Sequence, residues 1–135
     1  MRDTPLQLNA AEIKIGVVGL GLMGCSITTC LLMAGHPVVA VAPVPVDLKF
    51  ALKRITKHLQ RSRREKLVTH PPGYYLQRLT ITEDYNQLHG CALVIECTLE
   101  NLEIKKAVYS TIEAAIDKNA LLASNTSAIP ISILQ

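Results

Sequence analysis

Apolar residues along the chain fall into two alternating rhythms. "IKIGVVGLG", residues 13–21, is a β-branched run closed by glycines, which predicts a buried parallel strand entering a tight turn. "PVVAVA", residues 37–42, predicts a second strand ending at Ala42, because Pro43 and Pro45 carry no N–H for a ladder. "RLTIT" (78–82), "CALVIECT" (91–98) and "ALLAS" (120–124) supply three more. Between them the period lengthens. Leu22 to Ala34 lacks proline and ends before Gly35, a helix with a glycine cap. Asp47 is the expected cap of a helix that buries Leu48, Leu52, Ile55 and Leu59. Residues 101–116 place Leu102, Ile104, Val108, Ile112 and Ile116 on or beside one helical face. "THPPGYY" (69–75) predicts a loop and "YNQLHG" (85–90) a short helical turn.

Strands alternating with helices predict an α/β fold: a Rossmann-type parallel sheet with helices on both faces, joined by right-handed crossovers. A long amphipathic helix pair is expected after the second strand. Residues 1–11 are expected to be a tail and residues 12–135 a dinucleotide-binding domain. Ligands of such sheets lie beyond the carboxyl ends of the strands, here after Val18, Ala42, Cys97 and Ala123.

Composition narrows the function classes. The chain is 49% hydrophobic, yet no apolar run approaches the ~18–20 residues of a membrane span. With a polar N-terminus, the expectation is a cytoplasmic protein with no membrane partner. The net charge is +3, and the basic residues concentrate in "LKRITKHLQRSRREK", residues 52–66. That run reads as a solvated helix face or as a landing surface for an anionic coenzyme; with one Phe and no Trp to stack on bases, nucleic acid is not expected. Cys25, Cys30, Cys91 and Cys97 form no CxxC pair and have no histidine at zinc-finger spacing. They read as buried small hydrophobes, with no metal site. His36, His58, His70 and His89 sit near turns or on the basic helix, and none is a candidate base.

"GLGLMG", residues 19–24, is a GxGxxG between strand and helix, where the glycines permit the turn, the approach of a pyrophosphate and close packing. The candidate phosphate-binding residues are Gly19, Gly21, Leu22, Met23 and Gly24. About 20 residues into such a unit, an acid normally holds the adenosine ribose, and this sequence has Ala42. Losing a charged hydrogen bond costs about 1.5–3 kcal/mol, a tenfold to hundredfold weaker NAD site. Loss of the acid also removes repulsion against a 2′-phosphate, but "APVPVD" supplies no cation and Lys49 is the nearest. Weak NAD binding is therefore expected over an NADP switch. Asp47 either caps its helix, the plainer role, or turns back to the ribose.

Together "IGVVGLGLMG", "AGHPVVAVA", "LVIECTLENLEIKKAVY" and "LLASNTSAIPI" resemble the N-terminal, NAD-binding domain of the 3-hydroxyacyl-CoA dehydrogenase family, from about residue 12 onward. The resemblance implies NAD as cofactor, Glu100 and Lys105 near its nicotinamide end, and Ser127 against the substrate. The plainer readings are Glu100 as a helix first-turn acid, Lys105 as a solvated charge and "SNTS" as a turn. The family pattern departs here at Ala42. It also implies a catalytic histidine beyond Gln135, on a segment followed by a helical domain that carries its Glu partner and most of a homodimer contact. The expected function is that of the nucleotide domain of an enzyme oxidising (3S)-3-hydroxyacyl-CoA to 3-ketoacyl-CoA, with no catalytic base, and no turnover, in these 135 residues. Two rivals remain: a non-catalytic nucleotide-binding or interaction module with a degenerate ribose site, and a hydroxyacid dehydrogenase using NADP.

Overall fold

A computed structural model describes residues 8–134. Five strands, β1 (Ile15–Val18), β2 (Val38–Val41), β3 (Leu79–Thr82), β4 (Leu93–Glu96) and β5 (Leu121–Ser124), form one sheet in the order β3-β2-β1-β4-β5. All four pairings are parallel. The central strands β1 and β2 are buried at every position, which is why they read as unbroken apolar runs; the edge strand β5 alternates. The order reverses between β1 and β4, and that switch point opens a crevice at the carboxyl ends of the strands.

The helices are α1 (Leu22–Met33), α2 (Pro45–Arg64), α3 (Pro72–Leu76), α4 (Leu102–Ala115) and α5 (Ile131–Leu134). One core cluster joins α1 and α2 to the sheet through Leu32, Ala51, Ile55 and Leu59. A second, on the opposite face, packs Val108 and Ile112 of α4 against Val18, Val39 and Val94.

Four expectations change. The α2 cap is Val44, with no side-chain bond, and the helix starts two residues earlier than Asp47 because Pro45 presets the first helical φ. Asp47 is thus a first-turn residue. The buried stripe of α2 runs through Ala51, Ile55 and Leu59, leaving Leu52 exposed. "THPPGYY" contains α3, again started by a proline, so the expected helix pair is a 20-residue helix and a five-residue one. Cys30 is exposed, whereas Cys25 and Cys91 are buried and Cys97 lies between. Residues 1–7 of the expected tail lie outside the described residues, but Ala10–Glu12 form a 3-10 turn capped by the Asn9 side chain. Among the described residues no helix is long and apolar enough to cross a membrane, and no group of His, Cys, Asp and Glu is arranged to hold a metal.

Candidate dinucleotide site

The turn after β1 is shaped by three glycines with three different constraints. Gly19 has φ +100°, and a Cβ there would lie 2.7 Å from the Cys97 backbone, so both conformation and space demand glycine. A Cβ on Gly24 would collide with the Gly19 carbonyl. Gly21 is different. Its φ is −70°, and a Cβ on it would meet nothing within 4 Å. Neither backbone conformation nor a steric contact at Cβ therefore demands glycine at position 21.

Gly21 is the N-cap of α1, with no side-chain cap and no acidic residue in the first turn, so free N–H groups and the positive end of the helix dipole face the crevice. Leu22 and Met23 lie exposed on that turn. These are the ingredients of a phosphate cradle.

Two cavities meet here. The first, about 150 Å³, is bounded by Gly19, Gly21, Pro43, Val44 and Asp47 on one side and by Cys97, Thr98, Leu99, Ile104 and Val108 on the other. The second, about 370 Å³, is lined by Met23, Glu100, Asn125, Thr126 and Ser127 and shares Cys97 and Thr98 with the first. Together they trace a path from the end of β2, past the glycine turn, to the end of β5.

Beneath the second cavity lies a buried polar cluster. Lys105 Nζ donates to both Glu96 oxygens, at 3.0 and 2.9 Å, and to the Thr98 carbonyl at 3.2 Å. Both side chains are fully buried. Ser124 Oγ donates to Glu96 Oε1 at 2.7 Å, and Thr98 donates to Oε2 through its N–H and hydroxyl. Burial pushes the Glu96 pKa up, but the hydrogen bonds from Thr98, Ser124 and Lys105 outweigh it and hold the carboxyl below its usual range. Burial, reinforced by the Glu96 charge, pushes the Cys97 thiol up to about 11. Glu100, above the cluster, accepts from Thr126 Oγ1 at 2.9 Å and from the Ser127 N–H at 3.3 Å, and lies 3.9 Å from Lys105 Nζ.

Of the residues singled out from sequence, Gly19, Gly21, Leu22, Met23, Gly24, Glu100 and Ser127 gather at the crevice. Ala42 and Lys105 do not reach either wall. Ala42 is buried, its N–H bound to the Thr82 carbonyl, and Lys105 is sealed against Glu96. Sequence reasoning missed Glu96, Thr98 and the Arg54 bridge, in which Nη1 donates to the Leu20 carbonyl at 3.0 Å and to Asp47 Oδ1 at 3.1 Å. The available signal for Glu96 was a carboxylate closing an otherwise apolar strand, nine residues before a lysine.

Comparison with known proteins identifies the family. The sequence matches the model of the family described as 3-hydroxyacyl-CoA dehydrogenase, NAD binding domain, over residues 14–135. It is 35% identical over 120 residues to a 3-hydroxybutyryl-CoA dehydrogenase of Mycobacterium tuberculosis, covering 87% of this chain and 42% of that protein. It is 36% identical over 119 residues to the human peroxisomal bifunctional enzyme, covering 87% of this chain and 16% of that one. The fold superposes on the 3-hydroxybutyryl-CoA dehydrogenase of Escherichia coli with a TM-score of 0.83 at 30% identity, covering 94% of this chain and 27% of that chain. The chain thus spans less than half the length of these relatives. It belongs to the 3-hydroxyacyl-CoA dehydrogenase family and corresponds to that family's NAD binding domain.

Proposed function

We propose that these residues bind NAD and form the nucleotide half of an enzyme that oxidises (3S)-3-hydroxyacyl-CoA to 3-ketoacyl-CoA. The observation that carries this reading is the turn at Gly21: it opens α1 with no side-chain cap, and a Cβ there would meet nothing within 4 Å, so the first-turn N–H groups stand open to the crevice. A pyrophosphate meeting the first-turn N–H groups of α1 fits that space, and the two joined cavities continue it in both directions.

NAD supplies a hydride acceptor when bound. The chain's own residues bind and orient. Gly19, Gly21, Leu22, Met23 and Gly24 hold phosphate, and Glu100, fixed by Thr126 and the Ser127 N–H, marks the nicotinamide end. Ser127 lines the cavity in which the substrate's reacting carbon would lie, and its hydroxyl is the proposed contact to the substrate oxygen. Lys105 and Ala42 act from beneath the wall: Lys105 locks Glu96 and Thr98, and Ala42 supports Pro43 and Val44. Oxidising a secondary alcohol also needs a base for the hydroxyl proton. We place that base, and a homodimer contact, outside these 135 residues, a placement supported by the greater length of the relatives. The proposed compartment is the cytoplasm, on kinship with bacterial 3-hydroxybutyryl-CoA dehydrogenases; kinship with the human peroxisomal bifunctional enzyme makes the peroxisome the second reading.

Calorimetric titration with NAD, alongside an assay on (3S)-3-hydroxybutyryl-CoA, tests both halves of the proposal. The expected result is single-site binding without turnover. Turnover by the 135 residues alone would overturn the placement of the base, and absence of binding would overturn the dinucleotide reading.

A further inference from the structure

With Ala42 at the end of β2, the strand lacks the carboxylate that would hold an adenosine ribose, and its position is buried. The next acidic residue along the chain is Asp47. It stands in the first turn of α2 and lines the smaller cavity, on the same wall as Gly19, Gly21, Pro43 and Val44. Apart from Asp47 and Thr98, the side chains around that cavity are apolar or a cysteine. A dinucleotide whose pyrophosphate rests on Gly21 therefore finds one carboxylate at its adenosine end.

That carboxylate is held in place. Asp47 Oδ1 accepts from Arg54 Nη1, and the same nitrogen donates to the carbonyl of Leu20, inside the glycine turn. One guanidinium group thus ties Asp47 to the loop that would carry the phosphates. The Asp47 side chain is about one-fifth exposed, and among the described residues Oδ2 takes part in no hydrogen bond. A carboxylate fixed through one oxygen and open at the other is suited to accept from ribose hydroxyls.

Resting on the dinucleotide reading above, we propose that Asp47 replaces the strand-end acid as the ribose anchor and selects NAD over NADP, with Arg54 as its positioning residue. The rival is a 2′-phosphate received by Arg54. Two features weigh against it: Arg54 Nη1 already serves two acceptors, and the Asp47 charge faces the cavity that a phosphate dianion would enter. Lys53 and Lys57 line a separate hollow with Phe50 and Arg54.

A helix-dipole role for Asp47 would affect stability alone. The test therefore reads ligand chemistry. The 135-residue chain is titrated with NAD, NADP and an NAD analogue lacking the adenosine 2′-hydroxyl, as wild type, as Asp47→Asn and as Ala42→Asp/Asp47→Asn. The expected pattern is a loss of about tenfold or more in NAD affinity in Asp47→Asn, and recovery in the double variant. Wild type should also bind the deoxy analogue more weakly than NAD, and Asp47→Asn should not distinguish the two. Wild type that binds NAD and its deoxy analogue equally, or NADP more tightly than NAD, overturns this proposal and leaves the dinucleotide reading standing. That arm needs no variant to fold. Wild type that binds no dinucleotide overturns both.

Discussion

The two ends of the crevice solve the same problem with opposite chemistry. Just past β2 stands buried Ala42, the wall is Pro43 and Val44, and the charged group is brought in from the next helix on a single guanidinium bridge. At β4 the strand ends in a buried glutamate that collects Lys105, Thr98 and Ser124, binding three successive segments into one block. The β4 end is cross-braced before any ligand arrives, and the β2 end gains its polar contact from a partly exposed pair. Structural cost and ligand specificity are therefore expected to separate: damage at β4 should unfold the chain, and damage at β2 should change what it binds.

The largest effect is predicted for Lys105→Met. Removing one partner of a buried ion pair leaves Glu96 charged and unpaired, a loss of about 3–5 kcal/mol, readable by urea unfolding. Glu96→Leu combined with Lys105→Met should recover part of that loss; if the double variant is no better than the single, the pair is not the source of the cost.

Acid should weaken the same end next. The Glu96 pKa lies below its ordinary 4.5 in the folded state, so its contribution is fully present above that value and is lost as the pH falls through the depressed one. Unfolding free energy should decline in that acidic window, and a Glu96→Gln variant should show a shallower decline. An unchanged slope would remove Glu96 from the account.

Much of this division was open to sequence reasoning, and the rest was not, for physical reasons. The strands were legible because a central parallel strand is buried on both faces and is written in β-branched residues, as in "VVAV". The α2 stripe was placed partly wrongly because its apolar residues outnumber those the sheet can cover: Leu52 and Leu48 are equally apolar, and only packing decides that Leu52 faces out. Prolines misled twice, since a residue that ends a strand or marks a loop also starts a helix, as Pro45 and Pro72 do. At the site, the glycines were readable because their constraint is local. Glu96 was not, because its partners arrive from 2, 9 and 28 residues away.

A smaller prediction sharpens the contrast at the point where the cavities meet. Cys97 is partly accessible, yet its thiol, with a pKa near 11, stays protonated at neutral pH. Alkylation by iodoacetamide, followed by peptide mass spectrometry, should modify exposed Cys30 first and reach Cys97 at an appreciable rate only in strong base. Rapid labelling of Cys97 at pH 7 would show that the β4 end is looser than its hydrogen bonds imply.

The most direct measurement compares wild type with Gly21→Val in melting and in NAD affinity. Because a Cβ at position 21 meets nothing, the stability cost should be confined to replacing glycine at the N-cap of α1, on the order of 1 kcal/mol. NAD affinity should fall by about tenfold or more, at least ~1.4 kcal/mol, because the side chain fills the space kept for pyrophosphate. Equal NAD affinity in both proteins would contradict the claim that this glycine turn is built around a dinucleotide.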